Sequence, residues 1–382
     1  MISTSDAFAA VQALLGARVA SRMLFTAAGD PLNRVARPPA GAGTVCAVVP
    51  VLDERARLGP CLDGLRAQGA WLTQILVVDG GSRDGTQALV AEHAARDARI
   101  RLIDASPVPP NWNGKAWGLE SGLRASGDAT WILTIDADVR PAPELVSSLL
   151  AHAELSRLDA FSAAPRLRLS GPGEALVHPA MLATLVYRYG LPGNVATTPE
   201  SVQADGQCFF VRRSALLDTG AVAAAHASRC EDVTIARVLV TSGIPVGFFE
   251  AGELAGVEMY ANLAECWQNW PRSLPMRDAF TRPLDLVLAL AEIGLVQALP
   301  LALALWLAAR GDRESALFRV NAALAALRLG TLAGTRRAYL ETPWTFWLSP
   351  ATDLSVAARI ALSAFSREER WRGRTLVSER AA

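Results

Sequence analysis

Lysine is nearly missing from this sequence. Of its 37 Lys and Arg residues, only Lys115 is lysine. In a chain that otherwise uses arginine, lysine persists most readily where a compact ammonium acts differently from a planar guanidinium. Histidine is scarce, with four residues, and the five cysteines (Cys46, Cys61, Cys208, Cys230, Cys266) lie far apart without a CxxC pair. Nothing therefore signals a zinc site or a disulfide framework, and a reducing compartment fits best. Charge of one sign is lacking too: 37 cations balance 37 Asp and Glu, which excludes a nucleic-acid binder with a basic footprint. There is no GxGxxG, so the dinucleotide fingerprint is absent. There is no internal repeat and no low-complexity tract.

What is present is apolar: 51% hydrophobic against 19% charged residues, a balance that excludes disorder and coiled coil. A mean hydropathy of +0.23 points toward membrane contact. The length of 382 residues suggests about two to three structural units.

Residues 1–43 form an amphipathic segment and a Pro/Gly/Ala linker. Gln12, Arg18, Ser21 and Arg22 interrupt the apolar stretch too often for a spanning helix, which needs about 20 largely apolar residues, and the basic start of a signal peptide is missing. From Thr44 buried-type strands alternate with helices. Val45 to Pro50, Gln74 to Asp79, Arg99 to Ile103 and Trp131 to Ile135 read as strands. Arg57 to Gln68, Thr86 to about Asp97 and Lys115 to Ala125 read as helices. This alternation predicts an α/β unit with a parallel sheet covered on both faces, over residues 44–276. Ligands of such sheets bind at the carboxyl ends of the strands, where Asp79, Asp136 and Asp138 fall.

Residues 277–382 change character again. Leu284 to Ala309 and Leu317 to Leu332 predict a helical hairpin, the second helix carrying Arg319 and Arg328. Thr345 to Phe365, with Leu354, Ala357, Ala361 and Phe365 at helical spacing, predicts a helix lying in the interface. Arg336, Arg337, Arg367, Arg370, Arg372 and Arg374 would then face the cytoplasm. Three spans, or a soluble helical bundle, are the alternatives.

Four groups of residues could carry chemistry. Asp136-x-Asp138 directly follows a strand, so both carboxylates can face one ligand; hard oxygen donors suit Mg²⁺ or Mn²⁺, which bind through one or two carboxylates plus phosphates. A solvated turn is the plainer alternative. Asp79 opens a glycine-rich turn, Gly80-Gly81-Ser82-Arg83-Asp84-Gly85, and can accept hydrogen bonds from a base or ribose, whereas Asp84 reads as an Asx-turn. Lys115 starts a helix, an unfavourable place for a cation unless an anion such as a diphosphate is shared. Glu231-Asp232 begins an amphipathic helix, either as dipole partners or as functional carboxylates.

Val48-Val49-Pro50-Val51-Leu52-Asp53-Glu54, Val78-Asp79-Gly80-Gly81-Ser82-x-Asp84-Gly85-Thr86, Gly114-Lys115, Asp136-x-Asp138 and Glu231-Asp232, in this order, resemble the family-2 glycosyltransferases of GT-A fold over roughly residues 44–275. Pro110-x-Trp112-x-Gly114-Lys115-x-Trp117 and the tail Trp371-Arg372-Gly373-Arg374 look most like the bacterial membrane-associated branch, with its hopanoid, carotenoid and ceramide glucosyltransferase-like members. The resemblance implies a Rossmann-like mixed sheet followed by a membrane-associated helical region, at the cell inner membrane, multi-pass, with the catalytic domain cytoplasmic. It also implies the following roles. Asp79 and the loop from Pro50 to Glu54 contact the base of a nucleotide-sugar donor, a UDP-sugar. Asp136 approaches ribose or sugar, Asp138 binds Mg²⁺ or Mn²⁺, and Lys115 helps hold the donor. Asp232 is the base that deprotonates a lipid-like acceptor, in an inverting transfer. Two departures stand out: Asp53 replaces the family's usual Asn, and the Gln/Arg-x-x-Arg-Trp motif of processive members is not reproduced by Trp267-Gln268-Asn269-Trp270-Pro271-Arg272. Single-sugar transfer is therefore expected. Trp267, Trp270 and Arg272 belong to the substrate site, or the tryptophans to an aromatic belt. A polysaccharide synthase subunit and a non-catalytic scaffold are the other readings.

Overall fold

Strand β1 (Val45–Val51) is apolar at every position because both of its faces are covered. Val45, Ala47 and Val49 pack on one side of the sheet, Cys46 and Val48 on the other, in two separate cores. The other strands of the same sheet are β2 (Leu72–Asp79), β3 (Ile100–Asp104), β4 (Trp131–Ile135), β5 (Val139–Pro141), β6 (Ala160–Leu167), β7 (Asn194–Ala196), β8 (Cys208–Arg212) and β9 (Val246–Val257). Their order is β3-β2-β1-β4-β8-β6-β9-β5, with β7 also on β9. The structure is a computed structural model and describes residues 3–26, 29, 31–274, 278–365, 368–371 and 374–377.

The expected parallel pairing holds for β3-β2-β1-β4. Beyond β4 the sheet turns mixed: β8 runs antiparallel to β4 and to β6, while β6 and β9 are parallel. The carboxyl ends of β1, β2 and β4 thus open onto one edge, next to the start of β8.

The helices are α1 (Thr4–Thr26), α2 (Arg55–Arg66), α3 (Thr86–Ala94), α4 (Gly114–Ala125), α5 (Leu145–Ser156), α6 (Pro172–Tyr189), α7 (Arg213–Thr219), α8 (Ala221–Ala224), α9 (Glu231–Thr241), α10 (Leu263–Ser273), α11 (Pro283–Ala291), α12 (Leu299–Ala309), α13 (Ala316–Thr335) and α14 (Asp353–Phe365). A π-helical segment, Glu292–Ala298, joins α11 to α12 in one long helix. The tail forms a hairpin of β10 (Glu368–Trp371) and β11 (Arg374–Val377); Arg367 and Arg372 lie outside the described residues. The helices α2 and α5 cover one face of the sheet, and α4 and α9 the other.

Three helices are long and apolar enough to cross a membrane: Thr4–Thr26, Pro283–Ala309 and Ala316–Ala338. The N-terminal segment, expected to be too broken to span, is one of the three by length and composition. Two of its interruptions turn to the protein: Gln12 is buried, bonding the Leu295 carbonyl at 2.9 Å and Asn321 at 3.0 Å, and Arg22 pairs with buried Glu292 at 3.1 Å, whereas Arg18 and Ser21 are exposed. The hairpin of α12 and α13 forms as expected. Thr345 to Phe365 is not one helix: a 3₁₀ segment, Trp344–Thr352, packs on α6 and leads into α14. Leu354, Leu362 and Phe365 of α14 remain exposed, as an interfacial helix requires. Arg328, whose insertion as a lone charge would be costly, is fully buried against Asp353 at 2.8 Å.

Candidate active site

The loops after β1 and β2 are stapled together. Asp53 has φ of +55°, a left-handed conformation that Asp and Asn tolerate better than most residues. Its amide donates to Ser82 Oγ at 2.9 Å and its carboxylate accepts from the Arg83 amide at 2.7 Å. The Asp-for-Asn departure thus sits where the two residues are conformationally equivalent. Asp84 forms the expected Asx-type turn, accepting from the Thr86 amide at 3.0 Å. Asp79, expected at a nucleotide base, is 1% exposed and accepts from Ser82 and from Gln87 Nε2 at 2.6 Å. It builds the turn, while its neighbours Val78 and Gly80 face the cavity.

That cavity, about 680 Å³, lies over the strand ends. Pro50, Glu54, Lys115, Asp136 and Asp138 line one end of it, with Glu231 and Asp232 across from them. Asn113 caps α4 by accepting from the Lys115 amide at 2.9 Å. The helix lies close on the sheet because residue 122 is glycine: a Cβ there would stand 2.3 Å from Val48 Cγ1. Lys115 Nζ consequently reaches Asp136 Oδ1 at 2.9 Å and Glu231 Oε1 at 3.0 Å. Two carboxylates therefore stand beside this helix start. Burial opposes the ammonium, but Asp136, Glu231 and Asp232 more than offset it and hold its pKa well above the usual lysine range.

Asp138 Oδ1 is buried without a hydrogen-bond partner among the described residues. Burial, with the Asp136 and Glu54 carboxylates nearby, pushes its carboxyl up to about 7. An orphaned carboxylate oxygen beside a second carboxylate fits a hard divalent cation whose remaining ligands come from phosphate and water. No group of three or more His, Cys, Asp or Glu able to hold a metal occurs among the described residues.

Asp232 accepts from the Gly206 amide at 2.7 Å, and burial followed by the charge of Glu231 pushes it up to about 7. Gly206 is a place of close approach: a Cβ there would be 3.1 Å from Lys115 Nζ and 3.3 Å from Asp232. Asp205, raised to about 6 by burial, also lines the cavity. Neither Asp205 nor Gly206 was expected; the Asp-Gly turn ahead of the apolar run Cys208 to Val211 was the available signal. Trp270 lines the cavity and stacks on His178 at 4.0 Å. Trp267 instead packs among the helices. The side chain of Arg272 lies outside the described residues.

A mixed sheet with a parallel half, a Rossmann-like crevice and acidic strand ends is the GT-A fold of nucleotide-diphospho-sugar transferases. Residues 46–220 match the family model described as Glycosyl transferase family 2, so the chain carries a glycosyltransferase family 2 domain. Among solved structures, a mannosyltransferase from Pyrobaculum calidifontis in complex with GDP-Man and Mn²⁺ is similar at 18% identity. The match covers 94% of this chain and 98% of that one, with a TM-score of 0.53. Glucosyl-3-phosphoglycerate synthase from Mycobacterium tuberculosis, in complex with Mn²⁺, UDP and phosphoglyceric acid, matches at 18% identity over 67% of this chain and 80% of that one, with a TM-score of 0.41. No curated protein matches the chain.

Proposed function

We propose that the protein is a metal-dependent, inverting glycosyltransferase that moves one sugar from a nucleotide-diphosphate sugar to the hydroxyl of a lipid-like membrane acceptor. One observation carries the reading: a single cavity joins the acidic strand ends to an apolar wall formed by α6 and Trp270. The donor end would take a nucleotide diphosphate, a UDP-sugar by the family resemblance. The similar mannosyltransferase, solved with GDP-Man and Mn²⁺, supports a nucleotide sugar and a divalent ion together.

In this reading Asp138 would hold the metal, which when bound offsets the charge of the departing diphosphate, and Asp136 would border the ribose or sugar. Pro50 and Glu54 border the base, and Lys115 keeps Asp136 and Glu231 in register across the cleft. The acceptor oxygen attacks the anomeric carbon and its proton passes to the Asp232 carboxylate. The bond from that carbon to the β-phosphate oxygen breaks, its electron pair leaving with the nucleoside diphosphate. Water is excluded by α10, tied to α2 through Arg57–Glu265 at 2.7 Å. The exposed apolar side chains Leu14, Leu24, Leu284, Leu305 and Trp306 support a multi-pass inner-membrane location, the cavity on the cytoplasmic side where nucleotide sugars are made.

Calorimetry of nucleotide-sugar binding tests the donor end. Binding should need a divalent ion and be lost in Asp138→Asn; binding unchanged by chelator would remove Asp138 from the metal role.

A further inference from the structure

A transferred sugar has to bridge two fixed points. Its diphosphate would sit at the Asp138 end of the cavity, and its anomeric carbon has to lie within reach of an acceptor oxygen whose proton goes to Asp232. The segment Asp205-Gly206-Gln207, just ahead of β8, is tied to both sides. Its Gly206 amide donates to Asp232 at 2.7 Å, and its Gln207 carbonyl accepts from the Asp136 amide at 3.3 Å. The Asp205 amide is held in turn by Ser162 Oγ, on β6, at 3.0 Å. The backbone is therefore fixed at three successive residues, as precise recognition of a small polar ligand requires.

Gly206 carries no side chain and Gln207 is buried, whereas Asp205 is half-buried and lines the cavity. Its Oδ1 accepts from the Gln207 amide at 2.9 Å, and none of the described residues donates to Oδ2. The proton-accepting and metal roles fall to Asp232 and Asp138, so the transfer as drawn leaves this oxygen unused. A carboxylate oxygen open to the cavity, between the diphosphate end and Asp232, is an acceptor for a ring hydroxyl. Hydrogen bonds to an ionised group are about twice as strong as neutral ones.

We propose that Asp205 is a specificity-determining residue, accepting a hydrogen bond from one hydroxyl of the donor sugar through Oδ2 and so selecting which sugar is transferred. The assignment rests on the transferase reading of the same cavity. Such a contact discriminates sharply, because a sugar lacking that hydroxyl leaves a desolvated carboxylate oxygen unpaired.

Asparagine supplies the test. In Asp205→Asn the amide oxygen can still accept from Gln207, while an NH₂ donor replaces Oδ2, so the variant should fold and change only the polarity of the contact. Calorimetry of the full-length protein in detergent with Mn²⁺ compares a panel of UDP- and GDP-sugars with bare UDP and GDP. Asp205→Asn should weaken the preferred nucleotide sugar about ten- to hundredfold, as loss of a hydrogen bond to a charged group implies, and leave the bare diphosphate unchanged. Among the monodeoxy analogues of that sugar, one should bind the wild type at least about tenfold more weakly and lose nothing further in the variant. Equal binding of the nucleotide sugar by wild type and Asp205→Asn overturns the assignment. A parallel loss for sugar and bare diphosphate, in a variant that unfolds at the wild-type temperature, overturns it too, making Asp205 part of the site's frame. An even deoxy series on the wild type does the same and needs no variant. Failure of the wild type to bind any sugar of the panel sinks the transferase reading itself, and it is seen before any variant is made.

Discussion

Asp232 carries the proton-accepting role in the proposed transfer. A carboxylate in a first helical turn is ordinarily a dipole partner, but here burial and Glu231 push its carboxyl up to about 7, close to the range a general base needs. Only the ionised form accepts a proton, so kcat should fall as pH drops through about 7. In Glu231→Gln, which removes the like charge, that limb should move to lower pH. In Asp232→Asn kcat should fall by roughly 10²–10⁴ with donor binding retained. Steady-state kinetics against pH checks all three; an Asp232→Asn enzyme with normal kcat would reduce this residue to a helix-start partner. At this scale the sequence puts Asp136 and Asp138 just past the end of a strand, and both line the cavity. At Asp79 a strand-end carboxylate bonds within its own turn, through Ser82 and Gln87, partners that no strand-end pattern names in advance. The contribution of Gly206 depends on contact with Lys115 and Asp232, far away in the chain, and no local pattern reveals it.

The same limit holds for whole elements. Strands β1 to β4 and helices α2 to α4 follow from apolar runs and turn signals, each strand being followed by a helix or turn of clear pattern. The antiparallel β8 and the parallel β6–β9 pair depend on long connections and are not legible from local pattern. In the helical half, polar residues look like interruptions only while their partners are unknown. Gln12 meets Asn321 and the Leu295 carbonyl in the π-helical segment, whose altered hydrogen bonding leaves that carbonyl available. Arg328 meets Asp353, Ser349 also bonds it at 3.2 Å, and both ions are 1% exposed. Removing one member of a buried pair leaves an unpaired charge, whereas removing both does not. Arg328→Leu should therefore lose about 3–5 kcal/mol of stability, and Arg328→Leu with Asp353→Leu should recover most of it. Denaturation of the detergent-solubilised protein measures both; equal losses in the single and double variants would show the pair to be unimportant.

At the scale of the molecule, two chemically different halves share one cavity. The sheet contributes carboxylates at its strand ends, and the helical region contributes α6, Trp270 and the end of α13. That division explains a composition that is apolar overall yet neutral in charge: the acidic site is balanced by arginines that pair across the fold. It also explains why soluble and membrane readings both looked open from sequence, since the boundary between the halves is a cavity and not a linker. The central claim is that this shared cavity transfers a sugar to a lipid. It is tested most directly by incubating the purified full-length protein with labelled nucleotide sugars, a divalent metal and membrane lipid extract, then resolving products by mass. The account predicts a lipid species heavier by one sugar, formed by the wild type and absent with Asp138→Asn or Asp232→Asn. Label found only in a water-soluble product, or in a polymer of many sugars, would contradict it.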